Sequence, residues 1–412
     1  MTTRRAVLLL ASPASYRLTA FQTAAKALGI ESITGLVNPI APMHDTELIV
    51  SVSTANIASA CAKVNELRAR WDSFQVLAVD DTAVEMAAAL ASSLGITTNR
   101  ADAAEASRNK IRMRQLFAAA GLPSPDMRPF NPDRSTHSPL PHPVVVKPAG
   151  LNGSRGVIRA NDDDEFAVAS HRLTRILQNQ GIEPSASSAL VESFIPGEEV
   201  AIEGIMTDGA LTVLAIFDKP DPLDGPFFEE TIYVTPSRHS EATQTEIAST
   251  VERMANALGL AHGPVHAEVR LNDTGVWPLE VASRSIGGMC SSVLEFGAGM
   301  SLEELILRHA FGETISGTSM TDAAGVLMIP IPGSGLFRGV SGIDQALAVS
   351  GITGVDITAV RNHPIQRLPE GDSYLGFVFA RGGTPDQVED ALRRAHELLD
   401  IEITPTVRLT VQ

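Results

Sequence analysis

Residues 266–288 read HAEVRLNDTGVWPLEVASRSIGG, and this stretch decides how the rest of the chain is interpreted. HAEVRL alternates apolar and polar residues, the tetrapeptide 272–275 supplies turn residues, and VWPLEVA follows as an apolar run, so the pattern predicts two short antiparallel strands joined by a tight turn. Each strand carries one carboxylate, Glu268 and Glu280, which such a hairpin can set face to face. Arg284 follows four residues later, then Gly287-Gly288, a pair that lets backbone approach a ligand closely. Two carboxylates and a guanidinium converging on one point suit a divalent cation bound to polyphosphate. The same residues also fit a solvated salt-bridge ladder, and the decision between the two rests on the flanking sequence.

The chain has 412 residues, enough for two or three domains, and its 44% hydrophobic and 19% charged content is that of an ordinary globular protein. A net charge of −16 argues against nucleic acid or an anionic membrane as partner, because either would be repelled. A polyphosphate ligand must therefore be small and met by local positive charge plus metal. Cys61 and Cys290 are the two cysteines, too few for a disulfide framework or a thiolate metal cluster. The apolar run after Arg4-Arg5 is short and reads as a first buried strand rather than a leader; no run approaches a membrane span, so a cytoplasmic protein is expected.

Residues 1 to about 100 alternate strand and helix, which predicts a doubly wound parallel α/β sheet. Asp80-Asp81, at the end of one of its strands, reads as a helix cap. Residues 101–120 are helical in pattern and group Asn109, Lys110, Arg112 and Arg114; the Pro-rich segment 123–143 reads as a connector. PVVVKPAGLNGSRGV is then a buried strand ending near Lys147, followed by a loop with Gly150, Gly153 and Gly156. Closely spaced glycines free backbone N–H groups for an anion nest, although a plain hairpin turn uses glycines too. A helix over residues 162–180 opens with an acidic run; residues 188–220 read as antiparallel strands, 243–258 as a helix, 289–312 as an apolar helical stretch, and 322–412 as an α+β module.

Lys110 in NKIRMRQLFAAAGLPSP, Lys147 in VVVKPAGLNGSRGV, then LVESFIPGEEV and HAEVR…PLEVASRSIGG occur in an order that resembles the ATP-grasp superfamily over residues 108–311. The likeness is to its carboxylate–amine ligases, which include L-amino-acid ligases that make dipeptides. The resemblance implies an α/β and α+β protein: an N-terminal α/β domain over 1–105, an ATP-grasp domain over 106–320 with its lid at 144–200, and a small C-terminal α+β closing domain over 321–412. It implies ATP with Mg²⁺, for which Mn²⁺ can substitute, small-molecule substrates and a homodimer. Carried over by residue, Lys110 and Lys147 meet the nucleotide phosphates, and Gly153, Ser154 and Gly156 lie in the lid loop over them. Glu192, Ser193 and Ile195 border adenine, Glu199 takes the ribose hydroxyls, Glu268 and Glu280 hold the metal, and Arg284 clamps the transferred phosphate. One position departs: Ala282 stands where many members carry a metal-binding Asn. A water can replace that ligand, and the departure counts against a biotin-carboxylase-like enzyme.

An amino-acid zwitterion needs an anion for its ammonium and a cation or backbone N–H groups for its carboxylate. Glu230 and Arg284 are the candidates, with Gly287, Gly288 and Met289 as further pocket residues wide enough to admit a bulky side chain. His266 orients a carboxylate, takes the amine proton, or, as the favoured reading, is a satisfied polar residue beside the hairpin. The expected activity is ATP-dependent amide or peptide-bond formation through an acyl phosphate. The alternatives are a carboxylase or metabolite ligase of purine-biosynthesis type, and a nucleotide-binding module without catalysis.

Overall fold

Strand β1 (Arg5–Ala11) has six consecutive residues with no exposed surface, the mark of a strand covered on both faces. It pairs in parallel with β2 (Glu31–Val37), which carries β3 (Ile49–Val52) on its outer side, and with β4 (Ser73–Ala78). The computed structural model describes residues 3–13, 15–39, 45–46, 48–297, 299–315, 322–371 and 373–405. Helix α1 (Leu18–Ala27) connects β1 to β2, α2 (Ile57–Arg68) connects β3 to β4, and α3 (Val84–Ser93) follows β4, as the alternation predicts. The pattern does not announce β2, because Ser32, Thr34 and Gly35 interrupt its apolar run; Gly35 is needed there, since a Cβ would lie 2.4 Å from a methyl of Leu10. In the order β3-β2-β1-β4 the progression reverses at β1, so a ligand crevice opens outside the carboxyl ends of β1 and β4.

The helix expected over 101–120 is two, α4 (Ala101–Ala106) and α5 (Lys110–Ala119), because Asn109 caps the second by accepting from the Arg112 N–H. A four-stranded antiparallel sheet follows, built from β5 (Met127–Pro129), β6 (Val144–Pro148), β7 (Ile158–Ala160) and β8 (Ala189–Ser193), with α6 (Asp163–Asn179) packing Phe166, Leu173 and Leu177 onto it. Its first strand lies inside the Pro-rich segment, so that segment is more than a connector; β5 is an edge strand, where Pro129 is tolerated. This subdomain therefore starts before residue 144.

Strands β9 (Glu198–Thr207) and β10 (Ala210–Lys219) form a long hairpin, turned by Asp208 and Gly209 at φ +51° and +85°, the pairing a type I′ turn demands. Then come β11 (Ile232–Thr235), α7 (Glu241–Leu258), β12 (Gly263–Asn272) and β13 (Gly275–Ala282). The stretch 289–312 is not one helix: Gly297 and Gly299, both at positive φ, break it into the small hairpin β14 (Glu295–Phe296) and β15 (Met300–Ser301) and the helix α8 (Leu302–Ala310), which opens on a Ser301–Glu304 capping box.

The C-terminal region contains β16 (Ala323–Ile329), β17 (Gly335–Ser341), α9 (Ile343–Leu347), β18 (Ile352–Ile357), β19 (Pro364–Ile365), β20 (Gly376–Gly382), α10 (Pro385–Glu397) and β21 (Asp400–Pro405). It is an α+β module with a core of its own, including Phe337, Leu375, Val388 and Leu392, and it is joined to the rest through its sheet. Strand β16 hydrogen-bonds to β11, so one antiparallel sheet of eight strands runs β13-β12-β9-β10-β11-β16-β20-β18. One core joins β1 and α1 of the first domain (Val7, Leu9, Phe21) to this sheet (Ile205, Phe217, Val326) and to α8 (Leu305, Ile306). No helix among the described residues is long and apolar enough to cross a membrane.

Candidate active site

A cavity of about 450 Å³ opens between the first domain, the four-stranded subdomain and the large sheet. The hairpin β12–β13 forms part of its wall. Its register pairs Glu268 directly with Glu280, then shifts so that Val269 faces Pro278; Leu279 is the extra residue of a bulge. Pro278 has no N–H to give, which an edge strand such as β13 permits. Both carboxylates line the cavity.

Lys110 and Lys147 reach the same space from α5 and β6. The Lys110 ammonium lies 3.2 Å from Glu280 Oε2 and donates to the Leu151 carbonyl, which ties it to the Gly-rich loop. Lys147 lies 2.7 Å from Glu192 Oε2, and Arg114 lies 2.7 Å from Glu192 Oε1. Burial opposes the Glu192 charge, but the two cations outweigh it and hold the carboxyl down to about 2. Glu192 thus anchors Lys147, in addition to any contact with a base. Ser193 and Ile195 line the cavity beside it, Ser193 fixed to the backbone of Asp126 and the Ile195 carbonyl to Arg270.

The Gly-rich loop is split in its availability. Gly153 and Ser154, at φ +61° and +53°, face the cavity. Gly156 does not: its N–H donates to the Pro369 carbonyl at 2.9 Å, and a Cβ there would meet Leu173 and Pro148. The expectation that Gly156 contributes to the phosphate nest is therefore corrected, because the backbone turn packs it against the C-terminal loop.

Arg284 makes a bidentate pair with Asp81, Nε to Oδ1 and Nη2 to Oδ2 both at 2.9 Å, and donates through Nη1 to the Ser285 carbonyl. Asn152 of the Gly-rich loop donates to the same Asp81 at 3.0 Å. Burial opposes ionisation of Asp81, but Arg284 prevails and holds its carboxyl well below the usual range. The cap expected at Asp80-Asp81 is right for Asp80, which accepts from Thr82 N–H; Asp81 instead positions Arg284. The guanidinium keeps further N–H donors on Nη1 and Nη2 for a ligand.

Lys219, at the end of β10, carries a charge that sequence reasoning missed. Its ammonium lies 2.7 Å from Glu199, 3.0 Å from Glu230 and 2.8 Å from Glu268, and 4.8 Å from the centre of the Tyr233 ring. Burial works against it, yet the three carboxylates raise its pKa well above the ordinary value. The signal was present: FDK closes an apolar strand with a lysine that the large sheet must bury. Glu199 also accepts from Arg270, so both its oxygens are engaged before any ribose contact. Glu230 is shared between Lys219 and, at 3.4 Å, Tyr374; burial raises its pKa. It stands at the apolar end of the cavity with Cys290 and Met328.

His266 Nδ1 lies 2.8 Å from the fully buried Glu203, and Nε2 lies 3.7 Å from Glu268. Burial favours the neutral ring, but the two carboxylates outweigh it and raise the pKa to about 9. The ring is held between these two carboxylates, the satisfied polar residue beside the hairpin that the sequence allows, and it braces Glu268. Gly287 and Gly288 line the cavity, the latter at φ +59° with its N–H on the Tyr16 hydroxyl, whereas the half-buried Met289 packs against the neighbouring core and not into the cavity.

The donor set fits Mg²⁺-bound ATP. Glu268 and Glu280 offer hard oxygen ligands from facing positions, as Mg²⁺ takes from one or two carboxylates plus phosphates. Glu199, Glu230 and Glu268 also lie within 4.8 Å of one another, but the Lys219 ammonium already occupies the space they share.

Residues 140–293 match the ATP-grasp domain family, and residues 327–404 match the L-amino acid ligase C-terminal domain 2. The crystal structure of an L-amino acid ligase from Bacillus licheniformis superposes with a TM-score of 0.78 at 24% identity, covering 98% of this chain and 100% of that one. An uncharacterised protein, y4rH, of Sinorhizobium fredii is 24% identical over 87% of this chain and 74% of its own length. Alanine–anticapsin ligase of Bacillus subtilis is 28% identical over 52% of this chain, and the match spans about half (49%) of that protein. Residues 140–293 thus form an ATP-grasp domain, residues 327–404 carry the C-terminal domain described for L-amino acid ligases, and the chain as a whole has the fold of the solved L-amino acid ligase.

Proposed function

We propose that the chain is an ATP-dependent ligase that activates the carboxylate of one amino acid as an acyl phosphate and joins it to the amine of another, releasing ADP and phosphate. The observation that carries this reading is the facing pair Glu268–Glu280, set in one cavity with Lys110, Lys147 and an Arg284 held by Asp81. A carboxylate is a poor electrophile until phosphorylated, so the site must neutralise charge and exclude water rather than supply a nucleophile. Lys110, Lys147 and the loop at Gly153-Ser154 are aligned for the nucleotide phosphates, and Glu192, by fixing Lys147, presets that charge. Glu268 and Glu280 would hold Mg²⁺, with Mn²⁺ as a substitute; when bound, the metal offsets negative charge on the phosphates. Arg284 directs its remaining donors at the transferred phosphoryl or the acyl-phosphate oxygens. The apolar end, with Tyr233, Tyr374, Met328 and Cys290 around Glu230, suits an amino-acid side chain. His266 keeps Glu268 ionised and oriented. The boundaries 1–105, 106–320 and 321–412 serve as functional divisions, although the large sheet crosses the last of them.

Trapping with hydroxylamine tests the chemistry. ATP, Mg²⁺, one amino acid and hydroxylamine should yield the amino-acid hydroxamate with matching phosphate, and Glu280→Ala should abolish it. Phosphate release without any hydroxamate across the twenty amino acids would contradict an activated amino-acid carboxylate.

A further inference from the structure

The cavity contains one cation that the nucleotide and the metal leave unused. Arg17, the N-cap residue of α1, is only 8% exposed and lines the cavity. Its guanidinium donates to the Ser285 hydroxyl, and no carboxylate oxygen among the described residues lies within 4 Å of it. Every other cation of the cavity has an anion: Lys110 has Glu280, Lys147 has Glu192, Arg270 has Glu199, and Arg284 has Asp81. A buried guanidinium stays charged and is costly to leave unpaired. The buried carboxylates of Glu203 and Glu303 offset part of its charge from a distance, but neither touches it, so Arg17 has room for a contacting anion from outside the chain.

Its surroundings say what kind. The turn from β1 to α1 sits at the crevice where the order β3-β2-β1-β4 reverses, the place where doubly wound sheets take ligands. Arg17 enters the cavity there, beside Tyr16. The Tyr16 hydroxyl accepts from the Gly288 N–H at 2.7 Å, and its own proton has no acceptor among the described residues, so it too can donate to a ligand. The exposed start of a ten-residue helix adds positive potential. Resting on the ligase reading, the choice of anion narrows. The phosphates and the activated carboxyl are met by Lys110, Lys147, Arg284 and the metal pair. The one carboxylate that stays anionic from binding to product release is that of the amino acid supplying the amine.

We propose that Arg17, assisted by the Tyr16 hydroxyl, anchors the α-carboxylate of the amine-donating amino acid. The enzyme is thereby restricted to acceptors with a free carboxylate. The product keeps that carboxylate, and its C-terminal end leaves from the Arg17 side of the cavity.

The test compares amine donors of one side chain as free acid, carboxamide and methyl ester, at saturating ATP, Mg²⁺ and first amino acid. With the wild-type chain, amide and ester should lose roughly 10- to 100-fold in kcat/KM, chiefly through KM, as removal of a charge-assisted contact would. Arg17→Gln should bring acid and amide to similar efficiency with KM for ATP unchanged, and Arg17→Lys should retain part of the preference. The wild-type comparison needs no variant, so a misfolded Arg17→Gln does not blunt it. Equal use of acid and amide by the wild type overturns the proposal, as does an Arg17→Gln effect confined to KM for ATP, which would assign the residue to phosphate. Absence of product with every donor, acid or amide, overturns the ligase reading and this proposal with it; product formed equally from both overturns this proposal alone.

Discussion

Arg284 and Asp81 stand 203 positions apart in sequence and meet through two parallel hydrogen bonds of 2.9 Å. Asp81 belongs to the first domain, Arg284 follows the hairpin of the large sheet, and Asn152 of the Gly-rich loop closes on the same carboxylate. A single acidic side chain thus touches all three parts of the site.

Asp81→Asn retains the shape of that junction and removes the charge Arg284 faces. We expect turnover to fall about a hundredfold from mispositioning of Arg284, with KM for ATP little changed and the circular dichroism spectrum intact. Wild-type turnover in this variant would mean that Arg284 finds its place without Asp81.

Lys219→Met leaves Glu199, Glu230 and Glu268 gathered within 4.8 Å without the one cation that touches all three. Removing one partner from a buried charge cluster costs about 3–5 kcal/mol, and three convergent carboxylates are a ready divalent-cation site. The melting temperature should therefore drop, and millimolar Mg²⁺ or Ca²⁺ should restore more of it than the same ions add to the wild type. A variant as stable as the wild type, or one indifferent to divalent ions, would contradict this role.

Glu192 gives a pH signature. Its carboxyl sits near 2 in the folded chain against an ordinary 4.5, so as pH falls the unfolded chain binds the proton first. The contribution of this group is fully present above about 4.5 and disappears as pH drops toward 2; its size is roughly 3 kcal/mol. Glu192→Gln should be less stable at pH 7, and its urea midpoint should fall less steeply between pH 4.5 and 2. Parallel curves for the two chains would exclude Glu192 as a source of acid lability.

How much of this was legible in the sequence depends on how far apart the partners lie. Glu268 and Glu280 face each other through a turn that the residues 272–275 announce, and Lys147 with its glycines sits within one strand–loop unit; local pattern suffices for both. Asp81 with Arg284, Glu203 with His266, and Lys219 with three carboxylates from distant parts of the chain are products of tertiary packing, which no local spacing encodes. Gly156 misleads because three glycines in seven residues look alike, while only the folded loop shows which N–H is turned away onto Pro369. The C-terminal region reads as an α+β module from its alternating strands and helices, but that β16 completes its hydrogen bonds on β11 is a long-range pairing that no local pattern shows.

Arg172 on α6 holds Glu370 through two contacts of 3.0 and 2.8 Å, beside the Gly156–Pro369 hydrogen bond, so the lid is fastened to the C-terminal loop. Both side chains are about a third exposed, and such a pair contributes about 0.2–1 kcal/mol. Arg172→Ala should leave global stability nearly unchanged and raise the ratio of phosphate released to amide formed by no more than about fivefold, as water reaches the acyl phosphate. A perfectly coupled variant would show that the lid closes without this fastening.

The central claim is that two amino acids are condensed at the expense of ATP. It is tested most directly by incubating the chain with ATP, Mg²⁺ and pairs of amino acids, weighing the products and counting phosphate. We expect, for at least one pair, a mass equal to the two amino acids less water, with one phosphate per product and neither with Glu268→Gln. Bound ATP with no condensed product from any pair, or phosphate release that requires bicarbonate instead of an amine, would contradict it.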